Sequence, residues 1–564
     1  MVNPILTVEN QLSEKLLKAY NNALINNELE KIEIGTITIE VSKEKGHGDF
    51  ACNFAMQYAK LLKLPPRKVA EIIIKYIDFS NTYIDKCEIA GPGFINFFAN
   101  KDFFSFVLES IINNGNDYGK SKSQNPQKIM VEFVSANPTG PMHMGNARGG
   151  ALGDCLAQVL HWAGNEVSRE FYVNDAGNQI EKFYQSLNAR YFQKYKGEQN
   201  FPFPEDGYQG EDIKERIEEF SLINGDKFLN SNEDQRRKAL IDYALNKNIE
   251  IIKNDLATYR INYDNWFYES TLYNSGELDD TIKILKDNGY TYENEGALWY
   301  KATNFGAEKD EVLIRANGFP TYFAADIAYH RNKFLKRNFD IAINIWGADH
   351  HGHIARLKGA MDAIGIDSSR LNIILIQMVR LMSDGKPVKM SKRTGKSITL
   401  KDLLIETSID AARFFFNLRA ADSHFDFDLD LAIEQSSQNP VYYVQYAFAR
   451  ISSILRHIED EGIKIKPLNK VNLNLLTQDE ELVLIKYLAS FPQEILESAK
   501  YYDPSRITRY AIELASLFHK FYNSVRVKND NEQLMQARLL LCNCVKTVIG
   551  NSLNLLKITA PERM

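Results

Sequence analysis

The length, composition and charge of the chain are those of a multidomain globular protein. Its 564 residues exceed what one hydrophobic core usually serves, so roughly two to four domains are expected. Hydrophobic residues make up 44% and charged residues 25%, which excludes a disordered or fibrous protein. Because the formal net charge is −6, any nucleic-acid binding must depend on local basic surface.

The cysteines and the first residues indicate a reducing compartment away from membranes. The 5 cysteines include no Cys-x-x-Cys pair, which argues against a disulfide framework and against a thiolate zinc site. Residues 1–12 lack a basic start followed by an apolar segment, and no stretch approaches the ~20 apolar residues of a membrane span. We therefore expect a cytoplasmic protein with no membrane partner.

Residues 1–122 are predicted to form a small α+β domain, and residues 123–435 an α/β domain of the Rossmann type. A strand at 129–134, a helix with apolar residues from 151 to 160 and a second strand at 167–173 predict a βαβ unit. Gly164 is placed to end the helix. Such a unit opens a parallel sheet that is covered by helices.

The middle of the α/β domain has a different pattern. From about 181 to 300 the chain is charged and helix-like without comparable strands, which predicts a helical insertion between two halves of the sheet. Strand-like runs resume at 341–346 and 371–378, and a Lys-rich loop follows at 384–396.

Residues 436–564 are predicted to form an all-α bundle. Apolar residues recur at helical spacing from 444 to 458 and again from 507 to 521. Thr477 and Glu480 are expected to form a capping box at the start of another helix. Amphipathic helices of this kind bury one face each against their neighbours.

A phosphate-binding loop is predicted where the strand at 129–134 leads into its helix. His143, Gly145 and Asn146 stand at this junction, which in an open α/β sheet is the crevice where ligands bind. Free N–H groups of a helix N-terminus suit phosphate, Gly140 and Gly145 allow close approach of a nucleotide, and His143 carries a donor. Taken alone, these residues are equally compatible with a structural histidine and two turn glycines.

A second candidate is the segment KMSKRTGK at 389–396. Its cations, among them Lys389 and Lys392, would stabilise a triphosphate in the transition state by position and charge, without covalent catalysis. A solvated basic loop is the alternative for this segment alone. The two motifs together, each after a predicted strand, are far more specific than either one.

The pair resembles the two signatures of class I aminoacyl-tRNA synthetases, usually His-x-Gly-His and Lys-Met-Ser-Lys-Ser. Asn146 stands where the second His usually is, and Arg393 replaces the final Ser. The first change leaves a hydrogen-bond donor but no titratable ring, so proton transfer at this position is in doubt. The second change leaves Lys389 and Lys392 in place.

Further segments resemble the arginyl-tRNA synthetases over nearly the whole chain. They are EFVSANPTGP at 132–141, YVNDAGNQ at 172–179, Tyr322 to Asp326, GADHHG at 347–352, QYAFAR at 445–450 and APERM at 560–564. The resemblance implies a class I catalytic domain, an N-terminal domain that contacts the tRNA elbow and a C-terminal helical domain that reads the anticodon.

The resemblance also implies the site residues. Those for ATP are Gly140, His143, Gly145, Asn146, His350, Lys389, Met390 and Lys392, of which His143, Asn146, Lys389 and Lys392 are catalytic. Those for arginine are Glu132, Ser135, Asn137, His143, Tyr322, Asp326 and Asp349. Glu132, Tyr322 and Asp326 are expected around the side chain, since carboxylates and an aromatic ring recognise a planar guanidinium best. Without the family, Tyr322 and Asp326 are only an i, i+4 pair on one helix face.

Candidates for tRNA contact lie in both terminal domains. They are Asn96, Phe97, Tyr443, Gln445, Arg450 and Tyr522. The amide and aromatic groups of GPGFINF at 91–97 suit an unstacked base, and a hydrophobic hairpin is the alternative. The candidates in the bundle are equally compatible with core or helix-surface residues.

The run DHHGH at 349–353 is a candidate metal site, which His330 and Asp326 would extend. Histidines beside a nucleotide are the alternative, and the resemblance favours it, with no tightly bound metal.

The resemblance also implies the reaction: the carboxylate of arginine attacks ATP, which enters with Mg²⁺, and the arginyl group passes to tRNA(Arg). A monomer is expected. A metal-dependent hydrolase and a noncatalytic RNA-binding relative are the rival functions, and intact His143, Lys389 and Lys392 weigh against the second.

Overall fold

The computed structural model describes residues 2–42, 46–388 and 398–564. Its N-terminal part packs helices against an antiparallel sheet with the strand order β1-β2-β4-β3. The elements are α1 (Pro4–Ile25), β1 (Ile39–Val41), β2 (Phe50–Cys52), α2 (Phe54–Leu62), α3 (Pro66–Lys75), β3 (Ile84–Ala90), β4 (Phe94–Ala99) and α4 (Lys101–Asn114). The predicted α+β character of this region is confirmed.

The central part is built on a five-stranded parallel sheet with the order β12-β11-β5-β6-β7. Its elements are β5 (Lys128–Glu132), α5 (Gly145–Trp162), β6 (Glu166–Val173), α6 (Asn178–Lys196), α7 (Glu211–Asn224), α8 (Glu233–Thr258), β7 (Asn265–Tyr268), α9 (Ser270–Asn274), α10 (Glu277–Asp287), β8 (Thr291–Asn294), β9 (Ala297–Tyr300), β10 (Glu311–Ile314), α11 (Tyr322–Arg331), β11 (Ile341–Gly347), α12 (His351–Ala363) and β12 (Leu371–Ile376). The predicted βαβ unit of β5, α5 and β6 is confirmed.

Helix α5 lies directly on the sheet because one of its positions carries no side chain. A Cβ on Gly153 would lie 2.3 Å from the ring of Phe133, which is fully buried. The helix ends at Trp162, and Gly164 has a φ of +96°, as expected of a residue that ends a helix. This close packing fixes the N-terminus of α5 at the carboxyl end of β5.

The helical insertion is shorter than the sequence pattern indicates. Helices α6, α7 and α8 pack around a core of their own, but the chain then returns to the sheet as β7. Strands β8, β9 and β10 form a separate antiparallel sheet. The prediction of a helical insertion up to about residue 300 is therefore wrong beyond α8. These strands have 4 residues each, too few to show an alternating pattern between charged segments.

The chain continues through a small sheet into a helical bundle. The elements are β13 (Val379–Ser383), β14 (Lys386–Val388), α13 (Leu400–Glu406), α14 (Ile409–Phe416), β15 (Phe425–Asp428), α15 (Leu429–Ile433), α16 (Pro440–Asp460), α17 (Asp479–Ala489), α18 (Phe491–Tyr501), α19 (Ser505–Ser524) and α20 (Glu532–Leu555). Helices α16 to α20 confirm the predicted bundle. One continuous core joins residues of the bundle, α5 and the N-terminal part. Within the described ranges no helix is long and apolar enough to cross a membrane.

The capping box of α17 lies one residue later than predicted. Gln478 and Glu481 form it, instead of Thr477 and Glu480. The Glu481 carboxylate accepts the N–H groups of both Thr477 (2.8 Å) and Gln478 (3.0 Å). The buried Arg538 also binds Glu481, at 2.8 Å, and this pairing with α20 selects the later glutamate.

Candidate active site

The loop between β5 and α5 begins with a strained turn. Val134 has a φ of +69° and Ser135 a φ of +41°, and the Ser135 N–H donates to the Phe133 carbonyl over 3.0 Å. A three-residue turn with a β-branched residue at positive φ is rare and costs roughly 1–3 kcal/mol. Such strain is typical of functional sites, and this turn lies at the carboxyl edge of the sheet.

His143 is exposed two residues before α5 begins. Its Nδ1 accepts the N–H of Gly145 over 3.1 Å, so the neutral ring carries its proton on Nε2. The Asn146 N–H donates to the His143 carbonyl over 2.9 Å, and Asn146 is half-buried. An exposed imidazole donor beside the N-terminus of a helix suits the oxygens of a phosphate.

The chain that follows the second motif pairs with this loop. The Met144 N–H donates to the Ile398 carbonyl over 3.1 Å. His143 pairs with Thr399 in an isolated antiparallel bridge. Residues 398 and 399 therefore lie next to His143. The predicted residues Lys389, Met390 and Lys392 lie outside the described residues.

A cleft of about 250 Å³ adjoins the same loop. One wall consists of residues 137 and 139–141, and the other of residues 208–210 and 212 from the insertion. A Cβ on Gly140 would lie 3.3 Å from Asp212 Oδ2, so glycine keeps this part of the cleft open. The exposed Asn137 stands at the mouth of the cleft.

Ser135 connects the loop to the rest of the sheet. Its Oγ donates to Glu132 Oε1 over 3.3 Å and accepts the Tyr172 N–H over 3.1 Å. Glu132 is 7% exposed, and its other oxygen binds Lys333 Nζ at 2.6 Å. A buried carboxylate is costly unless it is paired, and Lys333 supplies the pairing. The Glu132 carboxylate is therefore already neutralised inside the protein.

The predicted pair on α11 is partly exposed. Tyr322 is 36% exposed, and its hydroxyl accepts the Gln179 N–H over 3.1 Å. A Cβ on Gly177 would lie 3.2 Å from the Tyr322 ring, so this close approach requires glycine. Asp326 Oδ2 lies 2.9 Å from His353 Nε2, and one third of the Asp326 side chain remains exposed, at 32%.

Sequence reasoning missed a second carboxylate near Asp326. Glu269 follows β7 directly, is 1% exposed, and accepts the hydroxyl of Tyr273 over 3.1 Å. Burial raises the pKa of Glu269 to about 7, and the negative charge of Asp326 acts in the same direction. Glu269 also hydrogen-bonds Tyr172, the residue whose N–H binds Ser135. Recognition of β7 as a strand would have placed Glu269 at the carboxyl edge of the sheet.

The histidine run follows β11 and continues into the first turn of α12. Asp349 and His350 are exposed, with 3.6 Å between Asp349 Oδ2 and His350 Nε2. The His350 ring lies 6.0 Å from that of Trp346. His353 pairs with Asp326 instead of its sequence neighbours. In residues 2–42, 46–388 and 398–564, no group of three or more His, Cys, Asp or Glu side chains is arranged to hold a metal ion.

The N-terminal candidates for tRNA contact are buried. Asn96 is 6% exposed and Phe97 is 0% exposed, both in β4 at the centre of its sheet. The Phe97 ring packs edge-on against Phe79. Neither side chain presents a free face to a base, so the structure does not support this assignment. The alternative of a hydrophobic hairpin fits, because β3 and β4 pair antiparallel and residues 95–97 are buried.

The candidates in the bundle divide into two groups. Arg450 stacks over Tyr522, with its guanidinium carbon 4.4 Å from the ring centre, and Tyr443 contacts the ring of His519 at 4.9 Å. These four residues are half-buried and form one aromatic, cationic cluster. Gln445 points elsewhere, since its amide donates to Asp410 Oδ2 and to the Thr559 carbonyl, both over 2.9 Å.

Comparisons with known proteins agree with this architecture. Three family models match: an arginyl tRNA synthetase N-terminal domain over residues 8–99, a catalytic domain of class I tRNA synthetases (R) over 107–422 and a DALR anticodon-binding domain over 444–564. The arginine–tRNA ligases of Acetivibrio thermocellus and Caldanaerobacter subterraneus are 55% and 56% identical over 564 residues, which is 100% of each chain. The Thermus thermophilus arginyl-tRNA synthetase shares the fold, with a TM-score of 0.74 at 20% identity over 99% of this chain and 100% of that one.

The matched residues include the elements of the candidate site. The catalytic family model spans the strained turn, the His143 loop, Glu269 and the pair on α11. The identity to curated relatives extends from end to end of both chains. The class I synthetases use ATP as a co-substrate, which agrees with the exposed His143 donor beside the N-terminus of α5. The chain belongs to the arginyl-tRNA synthetase family, whose members are arginine–tRNA ligases.

Proposed function

We propose that this chain activates L-arginine with ATP and transfers it to the 3′-terminal adenosine of tRNA(Arg). The arginine carboxylate attacks the α-phosphorus of ATP, which yields arginyl-adenylate and pyrophosphate. A hydroxyl of the adenosine then attacks the acyl carbon, and AMP leaves. The observation that carries the proposal is the position of Ser135. It stands in the loop that leads to His143, and its hydroxyl is bound to Tyr172, which contacts Glu269.

The nucleotide is assigned to the N-terminus of α5. The N–H groups of Gly145 and Asn146 already bind His143. The exposed Nε2–H of His143 and the positive end of the α5 dipole suit the phosphates, and Gly140 leaves room in the adjoining cleft. His350, half exposed beside Trp346, is assigned to the adenosine. Lys389, Met390 and Lys392 are assigned from the motif, and Ile398 and Thr399, which follow it in the chain, contact the His143 loop. ATP enters as its magnesium complex, so the ion belongs to the substrate.

The guanidinium of arginine is assigned to the pocket of α11. Asp326 and Glu269 offer two carboxylates, and Tyr322 offers a ring and a hydroxyl. A guanidinium presents several donors in one plane, so two carboxylates match it better than they match the single ammonium of lysine. Glu132 is less suited to the guanidinium than the sequence indicated, because Lys333 already neutralises it.

The opposite end of arginine is assigned to the β5–α5 loop. Ser135, Asn137 and His143 lie along this loop and suit the α-amino and carboxylate groups. Glu132 contributes by holding Ser135. The exposed Asp349 is assigned to the same end.

The tRNA is assigned to the surface of the bundle. Tyr443, Arg450 and Tyr522 gather there with His519, and stacking with a cation is a common way to hold unpaired bases. We further propose that the chain acts in the cytoplasm as a monomer. Size-exclusion chromatography with light scattering tests the second point.

Pyrophosphate exchange into ATP tests the proposed function. The assay is run with each of the twenty amino acids, with and without tRNA from a bacterium. Exchange is expected with arginine and not with lysine, which is the matched cationic control. Exchange with a different amino acid, or none with arginine and tRNA together, would overturn the proposal. A metal-dependent hydrolase would instead need a stoichiometric transition metal that a chelator removes together with activity.

A further inference from the structure

A row of polar residues crosses the middle of the parallel sheet. In the register of neighbouring strands, Asn344 of β11 pairs with Glu132 of β5, Glu132 with Glu170 of β6, and Glu170 with Asn265 of β7. Residues in register on parallel strands project to the same face. Asn344 and Glu170 are fully buried, and Glu132 nearly so. Two adjacent buried carboxylates are costly unless cations face them.

Both cations come from one short piece of chain after α11. Lys333, in a π-helical turn over Asn332–Lys336, is fully buried and binds Glu132 Oε2 at 2.6 Å. Arg337 binds Glu170 through two nitrogens, one of them 3.1 Å from Oε1. The two pairs are therefore matched in charge, although the Lys333 side chain is fully buried and that of Arg337 is 23% exposed. They differ in what else they touch.

Lys333 has a second partner that leads towards the guanidinium pocket. Its Nζ donates to Asn344 Oδ1 over 3.0 Å, and the Asn344 amide lies 2.9 Å from His330 Nε2. His330 Nδ1 lies 2.7 Å from the Asp326 carbonyl. Burial lowers the pKa of His330 well below its usual value, so the ring is neutral. Nδ1–H then donates to the Asp326 carbonyl, and Nε2 accepts from Asn344.

The first partner of Lys333 leads to the opposite end of the site. Glu132 accepts the hydroxyl of Ser135, and Ser135 accepts the Tyr172 N–H. A single ammonium group thus joins two hydrogen-bonded chains, one that ends at the Asp326 backbone and one that ends at Ser135. Within the described ranges Arg337 has no such connection, since its partner Glu170 binds Tyr329 and Asn265.

We propose that Lys333 is a positioning residue that sets the separation between Ser135 and Asp326, and so selects the length of the amino acid. It touches no substrate. The idea depends on the proposed function, in which these two residues hold opposite ends of arginine. A guanidino acid that is one methylene shorter cannot span a fixed separation, and it is rejected for that reason.

Two charge-balanced double variants of the full-length protein test the proposal. Lys333→Met with Glu132→Gln removes the ammonium and keeps an amide for Ser135. Arg337→Met with Glu170→Gln is the matched control at the other end of the row. Circular dichroism checks folding, and single-turnover adenylate formation gives the active fraction.

The arginine KM of the Lys333 double variant is expected to rise about tenfold, since misplacement by about 1 Å can cost up to 10²-fold. Its preference for arginine over the shorter guanidino acid should fall by about the same factor, with the ATP KM within about twofold. The control should lose thermal stability while it keeps its arginine KM and preference. Lys333→Arg, which retains the charge, serves as a milder variant if the double variant does not fold.

Equal effects of the two double variants on arginine KM would overturn the proposal, because the effect would then come from buried charge in general. Unchanged arginine preference in both Lys333 variants would overturn it as well. Failure of the wild-type protein to activate arginine is a separate result, and it would contradict the proposed function instead.

Discussion

The amino-acid side and the nucleotide side of the site are built differently. Around the proposed guanidinium pocket, Glu269, His330 and Lys333 are at most 2% exposed, and each has a hydrogen-bond partner. At the proposed nucleotide end, His143 and Gly145 are exposed, as is the side chain of His350 at 59%. The groups of the pocket are therefore held in place by the protein itself, whereas those of the nucleotide end are open to solvent. Specificity and catalysis should accordingly separate in mutants.

The largest effect is expected on the nucleotide side, from Lys392→Ala. The motif places this cation where it would neutralise the leaving pyrophosphate, and loss of one preorganised charge-stabilising donor costs roughly 10²- to 10³-fold in rate. Single-turnover adenylate formation should fall by this factor, with arginine binding nearly unchanged. Lys386→Ala, which lies before the motif in β14, is the control. Adenylation at the wild-type rate in the Lys392 variant would refute the assignment.

The next effect is expected in the pocket, from Asp326→Asn. This change keeps the shape of the side chain but removes a negative charge and turns one acceptor into a donor towards the guanidinium. Loss of a charge-assisted hydrogen bond costs roughly 1.5–3 kcal/mol, so the arginine KM should rise at least about tenfold while the ATP KM stays constant. Steady-state kinetics with each substrate varied would show the difference. A wild-type kcat/KM for arginine would place Asp326 outside the pocket.

A pH dependence of about tenfold is expected from Glu269. Its pKa, raised by burial from 4.5 to about 7, leaves much of the carboxyl protonated at pH 6. The kcat/KM for arginine should therefore rise about tenfold between pH 6 and 8, as the carboxylate that binds the guanidinium forms. The ratio of wild type to Glu269→Gln at each pH removes the titration of ATP from the comparison. A constant ratio would show that Glu269 does not bind arginine.

The stability of the unliganded wild type should fall with rising pH, in contrast to its kcat/KM, and Glu269→Gln tests this as well. Because the folded pKa of Glu269 lies above the unfolded value, the folded state binds the proton more tightly, and the unliganded protein loses stability as pH rises from about 4.5 to about 7. Glu269→Gln should lose less stability over this window. Thermal denaturation at pH 5 and pH 7.5 measures both slopes.

Parts of the fold and of the candidate site could be predicted from the sequence, namely those marked by long periodic segments or compact motifs. The βαβ unit of β5, α5 and β6 follows from periodicity, and the His143 loop follows from its place between strand and helix. Strand β7 has only 4 residues, too few for a recognisable alternation. Because the strand could not be predicted, Glu269, which follows it, could not be predicted either. Lys333 stands in a basic stretch typical of a solvated surface, and only the register of distant strands reveals its two buried partners.

The terminal domains show the same limit. Alternation along β4 cannot tell that Asn96 and Phe97 are both buried, because their burial depends on how distant parts of the chain pack. Likewise, Gln445 and Arg450 stand on one helix, but the partners of Gln445 come from α14 and from the chain after α20. Sequence spacing therefore identified the helix in the bundle but not which of its faces is free.

The smallest effects are expected in the bundle, where Arg450→Ala and Gln445→Ala form a matched pair on one helix. The Arg450 guanidinium lies over the Tyr522 ring in the half-buried cluster, and loss of a cation beside stacked bases costs roughly 0.5–1 kcal/mol. Arg450→Ala should raise the tRNA KM about three- to fivefold and leave thermal stability unchanged. Gln445→Ala removes two bonds between α16 and the rest of the chain, so it should lower the free energy of unfolding by about 1 kcal/mol and keep the tRNA KM within about twofold. Aminoacylation kinetics with tRNA varied and urea denaturation measure both quantities for both variants. The reverse pattern, with tRNA binding lost in the Gln445 variant alone, would place the recognition surface on the side of α16 that faces Asp410.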